Sequence, residues 1–341
     1  MDTIANKYAK ILRTTHLRYC YGHPNMSIFE DDRCKQFISA YMKNAGKTRA
    51  PIFDNLNDIT ADRTRHILSC FLLGILVYKE NRYMKNSIDI FMEKIPTSRH
   101  ESEEERFLYI WMLVCLFHDF GYAVEENKRQ KTKKEISKQI KQMPTQIKGV
   151  PRLYSKKLLE KYNTYRCLYF NKIDHGIAGG VQLYYDLCSL REQKDWEKNL
   201  EKDYSVAAWA IACHNIFYVT KGNGSDCYER MGLEKLIYPG VVRNISIKRH
   251  PFFYLLCLVD SIEPLKTFSN VDILKYLSIK IEDAQLTIRM DTTSDIVCQY
   301  PYNLSCCPMK REEYLKKALS LNDWLTDTEN NNLLIIKVNP K

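Results

Sequence analysis

Six residues have side chains that can do chemistry and surroundings that make them costly to keep. They are His66, His118, Asp119, His175, His214 and Asp260. Each lies in, or at the end of, an otherwise apolar stretch: "RHILSCFLLGILVY", "LVCLFHDFGY", "DHGIAGG", "AWAIACHNIF" and "LLCLVDSIEP". A charge or imidazole in such surroundings is unfavourable unless it is paired or bound to a metal. One histidine of this kind is ordinarily a satisfied core residue. The His118-Asp119 doublet alone reads equally well as two polar caps on a helix end. Five apolar helical segments that each carry such a group are harder to explain in that way. In a bundle their inward faces converge, which is how helical proteins build metal sites. Imidazole and carboxylate together suit Mn, Fe, Ni, Co or Zn better than calcium, with Mg compatible, and the set does not choose among them.

The order His66 … His118-Asp119 … His175 … His214 … Asp260 resembles the HD-domain superfamily of metal-dependent phosphohydrolases, over residues 55–269. The doublet is a weak signal; the ordered set, with two histidines between the doublet and the last aspartate, is specific. The resemblance implies a dinuclear site. His66, His118, Asp119 and Asp260 would hold one divalent transition-metal ion, and His175 and His214 a second, with Asp119 bridging. A carboxylate can span two cations, whereas a neutral imidazole offers one free nitrogen. Two ions about 3.5–4 Å apart can activate a water and clamp both oxygens of a phosphoester under attack. The expected activity is hydrolysis of a phosphoester or phosphoanhydride in a nucleotide or nucleotide-derived substrate, with Asp119 catalytic. Two alternatives stay open: a mixed-valent di-iron oxygenase of the HD-like fold, and a non-catalytic nucleotide sensor or nucleic-acid-binding module.

The chain departs from the better-defined branches of that superfamily. Phe120-Gly121-Tyr122 follows the doublet without the lysine of some cyclic-dinucleotide-cleaving members, and Ala123 replaces the proline of a Gly-Tyr-Pro signature. His214-Asn215 has no second histidine at the spacing used by animal cyclic-nucleotide phosphodiesterases. No branch is assigned.

Further polar residues stand near the six. Asp174 could orient His175 or donate a proton to a leaving oxygen, and reads equally as a plain N-cap. Arg63 and Arg65, one turn before His66, are candidate phosphate contacts or solvated surface groups. Glu263, one turn after Asp260, is either a partner of a ligand or exposed. Tyr154, Tyr162, Tyr165 and Tyr169 interleave with Lys156, Lys157, Lys161 and Arg166. Of these, Lys156, Lys157, Tyr165 and Arg166 are the candidates for binding substrate, against the reading that the tyrosines simply pack.

These residues need helices to position them, and helical periodicity dominates to residue 266. The spacing predicts helices in 31–45, 60–80, 101–120, 174–190, 203–218 and 250–266, the last closed by Pro264. Thereafter "LKYLSIKIEDAQLTIRMD" predicts two strands joined at Glu282-Asp283, "KREEYLKKALSLNDWL" a polar helix and "NNNLLIIKVN" a closing strand. The expected fold class is mainly α: an HD-domain helical bundle with a small C-terminal α+β appendage. Its parts would be a helical extension over 1–54, the core over 55–269 with a basic insertion at 123–172, and the appendage over 270–341.

Charge is uneven. Residues 128–157 carry eleven Lys or Arg against one acid, Glu135, an excess equal to the net +10 of the whole chain. Such a run is either a solvated surface segment or an electrostatic funnel for a polyanion, an anionic nucleotide or nucleic acid. The twelve cysteines include no C-x-x-C pair, and several sit in apolar runs as small hydrophobes. "MDTIANKYAKILRTTHLRYC" lacks the apolar core of a signal peptide, and the longest apolar runs fall short of the roughly 18–20 residues that span a bilayer. A reducing cytoplasm is therefore expected, with no membrane association and with homo-oligomers compatible.

Overall fold

Polar punctuation sets where the helices begin. The computed structural model describes residues 2–18, 26–44, 61–95, 102–122, 133–143, 155–216, 229–233, 247–266, 270–283, 285–290 and 333–337. The helices are α1 Ile4–Leu12, α2 Thr15–Arg18, α3 Asp31–Asn44, α4 Ala61–Glu80, α5 Arg82–Glu93, α6 Glu103–His118, α7 Lys133–Gln142, α8 Lys156–Phe170, α9 His175–Gln193, α10 Leu200–Cys213 and α11 Pro251–Ile262. Three antiparallel strands follow: β1 Leu277–Ile281, β2 Gln285–Met290 and β3 Leu333–Lys337. The protein is thus mainly helical with a small sheet near its C-terminal end, as expected. The six predicted helices are α3, α4, α6, α9, α10 and α11, and the predicted strands and closing strand are β1–β3. The helix predicted at 310–325 lies outside the described residues.

The caps explain the starts. The hydroxyls of Ser102 and Ser155 accept from the N–H groups of Glu105 and Leu158, and the Asp174 carboxylate accepts from that of Ile177. Each satisfies an orphan donor of a first turn. Glu103, Glu104 and Glu105 add charge that the helix dipole favours at the start of α6. From Arg106 to His118 that helix is buried at every position. Among the described residues no helix is long and apolar enough to cross a membrane.

The chain forms two compact units. The first is Met1–Ser87 with Leu258–Lys316 and Leu321–Lys341; the second is Ile88–Cys257 with Lys317–Ser320. The division falls inside α5 and inside α11.

In the first unit, α1 lays the buried Tyr8 against α4, where its hydroxyl meets the Ser69 carbonyl and hydroxyl at 3.1 and 3.0 Å. Strand β1 pairs with β2 from Leu277↔Met290 to Ile281↔Leu286, and β2 with β3 from Gln285↔Lys337 to Arg289↔Leu333. The β1–β2 turn is held by Asn81, buried between α4 and α5. Its amide donates to the carbonyls of Glu282 (2.7 Å) and Asp283 (3.3 Å), and its side-chain oxygen caps α5 at Met84 N–H (2.7 Å). Asn81→Ala leaves the buried Met84 N–H without its cap and removes the tie to the turn, and we expect a loss of about 1–3 kcal/mol in chemical denaturation. An unchanged midpoint would contradict this role.

In the second unit, Arg106 of α6 is buried against Asp203 of α10. Its Nε and Nη2 donate to Asp203 Oδ1 at 3.0 and 2.7 Å, and its Nη1 donates to the Met92 carbonyl at 2.8 Å. Part of the basic run folds here as α7, which buries Ile136, Ile140 and the following Met143 while Lys141 stays exposed. The rest of that run, apart from Ser155, Lys156 and Lys157, lies outside the described residues.

Candidate metal-binding site

In the second unit the ends of three helices meet. His118 is the last residue of α6 and Asp119 its C-cap; His175 opens α9; His214 caps the end of α10. Glycines let these helices approach. A Cβ at Gly179 would run into the Phe117 carbonyl, one at Gly180 into the Ala208 carbonyl, and one at Gly121 into the backbone of His175. The "GIAGG" start of α9 is therefore a packing device that brings His175 to Asp119 and His214. Gly179→Ala must push α9 off α6, at a cost of about 1–3 kcal/mol. We expect a lower melting temperature and weaker metal binding in a direct titration; native behaviour in both would refute the close fit.

Asp119, His175 and His214 each offer a ligand atom, all within 4.8 Å of one another, and all three residues are buried. Asp119 Oδ1 lies 3.6 Å from His118 Nε2 and 3.9 Å from His175 Nε2. The His214 ring stands edge-on to both His118 and His175, at centroid separations of 5.5 and 5.3 Å. The Nδ1 atoms of His118 and His214 each face a carbonyl of their own helix, Cys115 and Ile211, at 2.7 Å. A carbonyl only accepts, so Nδ1 of each ring carries a proton and Nε2 is the nitrogen that could ligate a metal. Ligand histidines are oriented in just this way. A donor set of a carboxylate and imidazoles fits a divalent transition metal.

Asp174 does more than cap. Its Oδ1 accepts from Ile177 N–H at 2.9 Å, while Oδ2 accepts from the Asn215 amide at 3.0 Å. The same amide nitrogen lies 3.3 Å from His175 Nδ1, and the Tyr122 ring stacks on His175 with centroids 3.8 Å apart. Asp174 is thus the N-cap of α9 and also holds the Asn215 amide that lies beside His175. Arg166 Nε lies 3.7 Å from Asp174 Oδ2, and its guanidinium covers the Phe170 ring.

In the first unit a second cluster forms where α4 meets the end of α11. His66 Nε2 is 3.1 Å from Asp260 Oδ1, and His66 Nδ1 is 2.6 Å from Glu263 Oε2. The Cys70 sulfur lies 3.6 Å from each ring nitrogen. Burial opposes charge on His66, but Cys70 and the hydrogen bonds to Asp260 and Glu263 outweigh it and hold the imidazolium well above the usual range. The Cys70 thiol is itself pushed by burial up to about 12, so it is neutral and the two carboxylates favour the cation. Glu263 is fully buried. Burial works against its charge, and His66, Ser69 and the Leu265 N–H together hold it below the ordinary carboxylate range. The charged ring donates from Nδ1 to Glu263 and from Nε2 to Asp260, so the Nε2 proton must leave before that nitrogen could ligate a metal, with Glu263 still orienting the ring.

The structure therefore brings His118, Asp119, His175 and His214 together in one unit, and His66 with Asp260 in the other. The substrate-binding candidates divide too. Arg63 and Arg65 sit at the start of α4, with Arg65 Nε donating to the Phe29 carbonyl at 2.9 Å. Lys156, Lys157, Tyr165 and Arg166 belong to α8. Lys156 Nζ donates to the Lys141 carbonyl at 2.6 Å, Lys157 is exposed, and Tyr165 is buried as a packing residue against Tyr162, Tyr169 and Phe170. Tyr154 lies outside the described residues. Sequence reasoning missed Asn215, Lys266 and the site role of Cys70. The His-x3-Cys spacing of His66 and Cys70 on one helix face was the available signal for the last. No protein-family model matches this chain, and no curated protein or solved structure shows significant similarity to it.

Proposed function

We propose that this chain is a metal-dependent phosphohydrolase of the HD type, cleaving a phosphoester or phosphoanhydride of a nucleotide or nucleotide-derived substrate. The observation that carries the reading is the buried trio of Asp119, His175 and His214, with His118 beside it and the Nδ1 atoms of His118 and His214 each facing a carbonyl of their own helix. Divalent ions in such sites supply an activated water and neutralise developing charge on a phosphoryl group. The chain's part is to hold the ligands. Asp119 contributes the carboxylate, His175 and His214 the imidazoles, and Asp174 steadies His175 through Asn215. His66 and Asp260 contribute to a second ion, with Glu263 fixing the His66 ring. The lysine- and arginine-rich run at 128–157 draws an anionic substrate toward the protein.

The test is elemental analysis of purified protein, coupled to a hydrolysis screen of nucleotides and oligonucleotides before and after chelation. We expect bound divalent metal, hydrolysis lost on chelation, and recovery on adding Mn2+. Metal-loaded protein that leaves the whole panel intact refutes the proposal, and oxygen uptake by an iron-loaded form would replace it with an oxygenase.

A further inference from the structure

Lys266 has been given no role so far, yet it makes two short polar contacts to Asp260. Its Nζ lies 2.6 Å from Oδ1 and 2.8 Å from Oδ2, so one ammonium engages both oxygens of that carboxylate. The nearer oxygen is the one that faces His66 Nε2 at 3.1 Å. A cation therefore already sits on the atoms that a divalent ion would use.

The aim of Lys266 is built into the chain. Pro264–Lys266 forms a 3-10 turn directly after α11. Glu263 ties that turn down, its Oε1 accepting from Leu265 N–H at 2.7 Å and its Oε2 from Lys266 N–H at 2.8 Å. The same carboxylate accepts from His66 Nδ1. One buried glutamate thus positions both the candidate ligand His66 and the ammonium that competes for its partner. The Lys266 side chain is half exposed, against 14% for Asp260, so it can withdraw into solvent without breaking the turn.

We propose that Lys266 is an internal cation that occupies the metal place on Asp260 and sets how tightly the His66–Asp260 pair takes a divalent ion. The proposal rests on the metal-binding part of the reading above. Two cations a few ångströms apart repel, so metal entry requires the ammonium to leave. An anionic phosphate near the site would give the displaced ammonium a new partner, which couples metal loading to substrate binding.

The experiment is a direct titration of the apo protein with Mn2+, followed by the paramagnetic signal of free Mn2+, for wild type, Lys266→Met, Lys266→Gln and Lys266→Arg. We expect Met and Gln to tighten one class of sites about fivefold, the scale of one partly exposed ion pair, and Arg to leave affinity near wild type. In an Asp260→Asn background, Lys266→Met should change nothing. Equal or weaker affinity in both Met and Gln variants, with native apo melting, overturns the proposal while leaving metal binding intact. Absence of Mn2+ binding in all variants, wild type included, overturns the metal-binding reading and this proposal with it.

Discussion

If the protein is the metal-dependent hydrolase proposed, Asp119→Ala is expected to lower its turnover by about a thousandfold or more and to reduce bound metal, while the protein remains folded. The expectation comes from position: Asp119 Oδ1 lies near both His118 Nε2 and His175 Nε2, in a trio whose ligand atoms all approach within 4.8 Å. Removing a group that only orients a ligand costs roughly 10–100-fold, and losing the carboxylate itself should exceed that. Asn215→Ala supplies the comparison. It touches His175 and Asp174 but offers no metal ligand of the candidate set, so its loss should stay within that smaller range and appear mainly as weakened metal affinity. Turnover by Asp119→Ala equal to wild type, at saturating metal, would remove Asp119 from the site.

Asp203→Ala destabilises the protein by about 3–5 kcal/mol, because it strands the buried Arg106 guanidinium. Arg106 gives Nε and Nη2 to one Asp203 oxygen, and its side chain is only 8% exposed. The damage is to stability, on the order of a 10 °C fall in melting temperature. Because the pair joins α6 to α10, the helices that end in His118 and His214, metal affinity should fall as well. Asp203→Ala together with Arg106→Met should recover much of the loss, since the double replacement leaves no unpaired buried charge. A melting temperature within 2 °C of wild type, roughly the shift from a surface substitution, would contradict the assignment.

The sequence by itself determined six of the described helices and the list of suspects. Apolar runs interrupted by His66, His118-Asp119, His175, His214 and Asp260 are visible without coordinates, because burying a polar group is costly wherever the chain goes. The N-cap at Asp174, the stop at Pro264 and the β1–β2 turn at Glu282-Asp283 are local chemistry and were legible for the same reason. Tertiary structure decided the partners. Glu263 meets His66 across 197 positions of chain, and no spacing rule connects them. Whether Glu263 was exposed or buried turned on which way the end of α11 faced, and it faces α4. Asn215 looked like a mismatch to a known motif and proved to be the link between Asp174 and His175. The glycines of "GIAGG" read as weak helix formers, yet they allow α9 to reach Phe117 and Ala208 closely enough for three ligand atoms to converge. Tyr165, a candidate for binding substrate by its place among basic residues, is enclosed by other aromatics. Sequence carries the cost of burying each group; only the packed chain shows which neighbour offsets it, because pairing acts through distance in space and not along the chain.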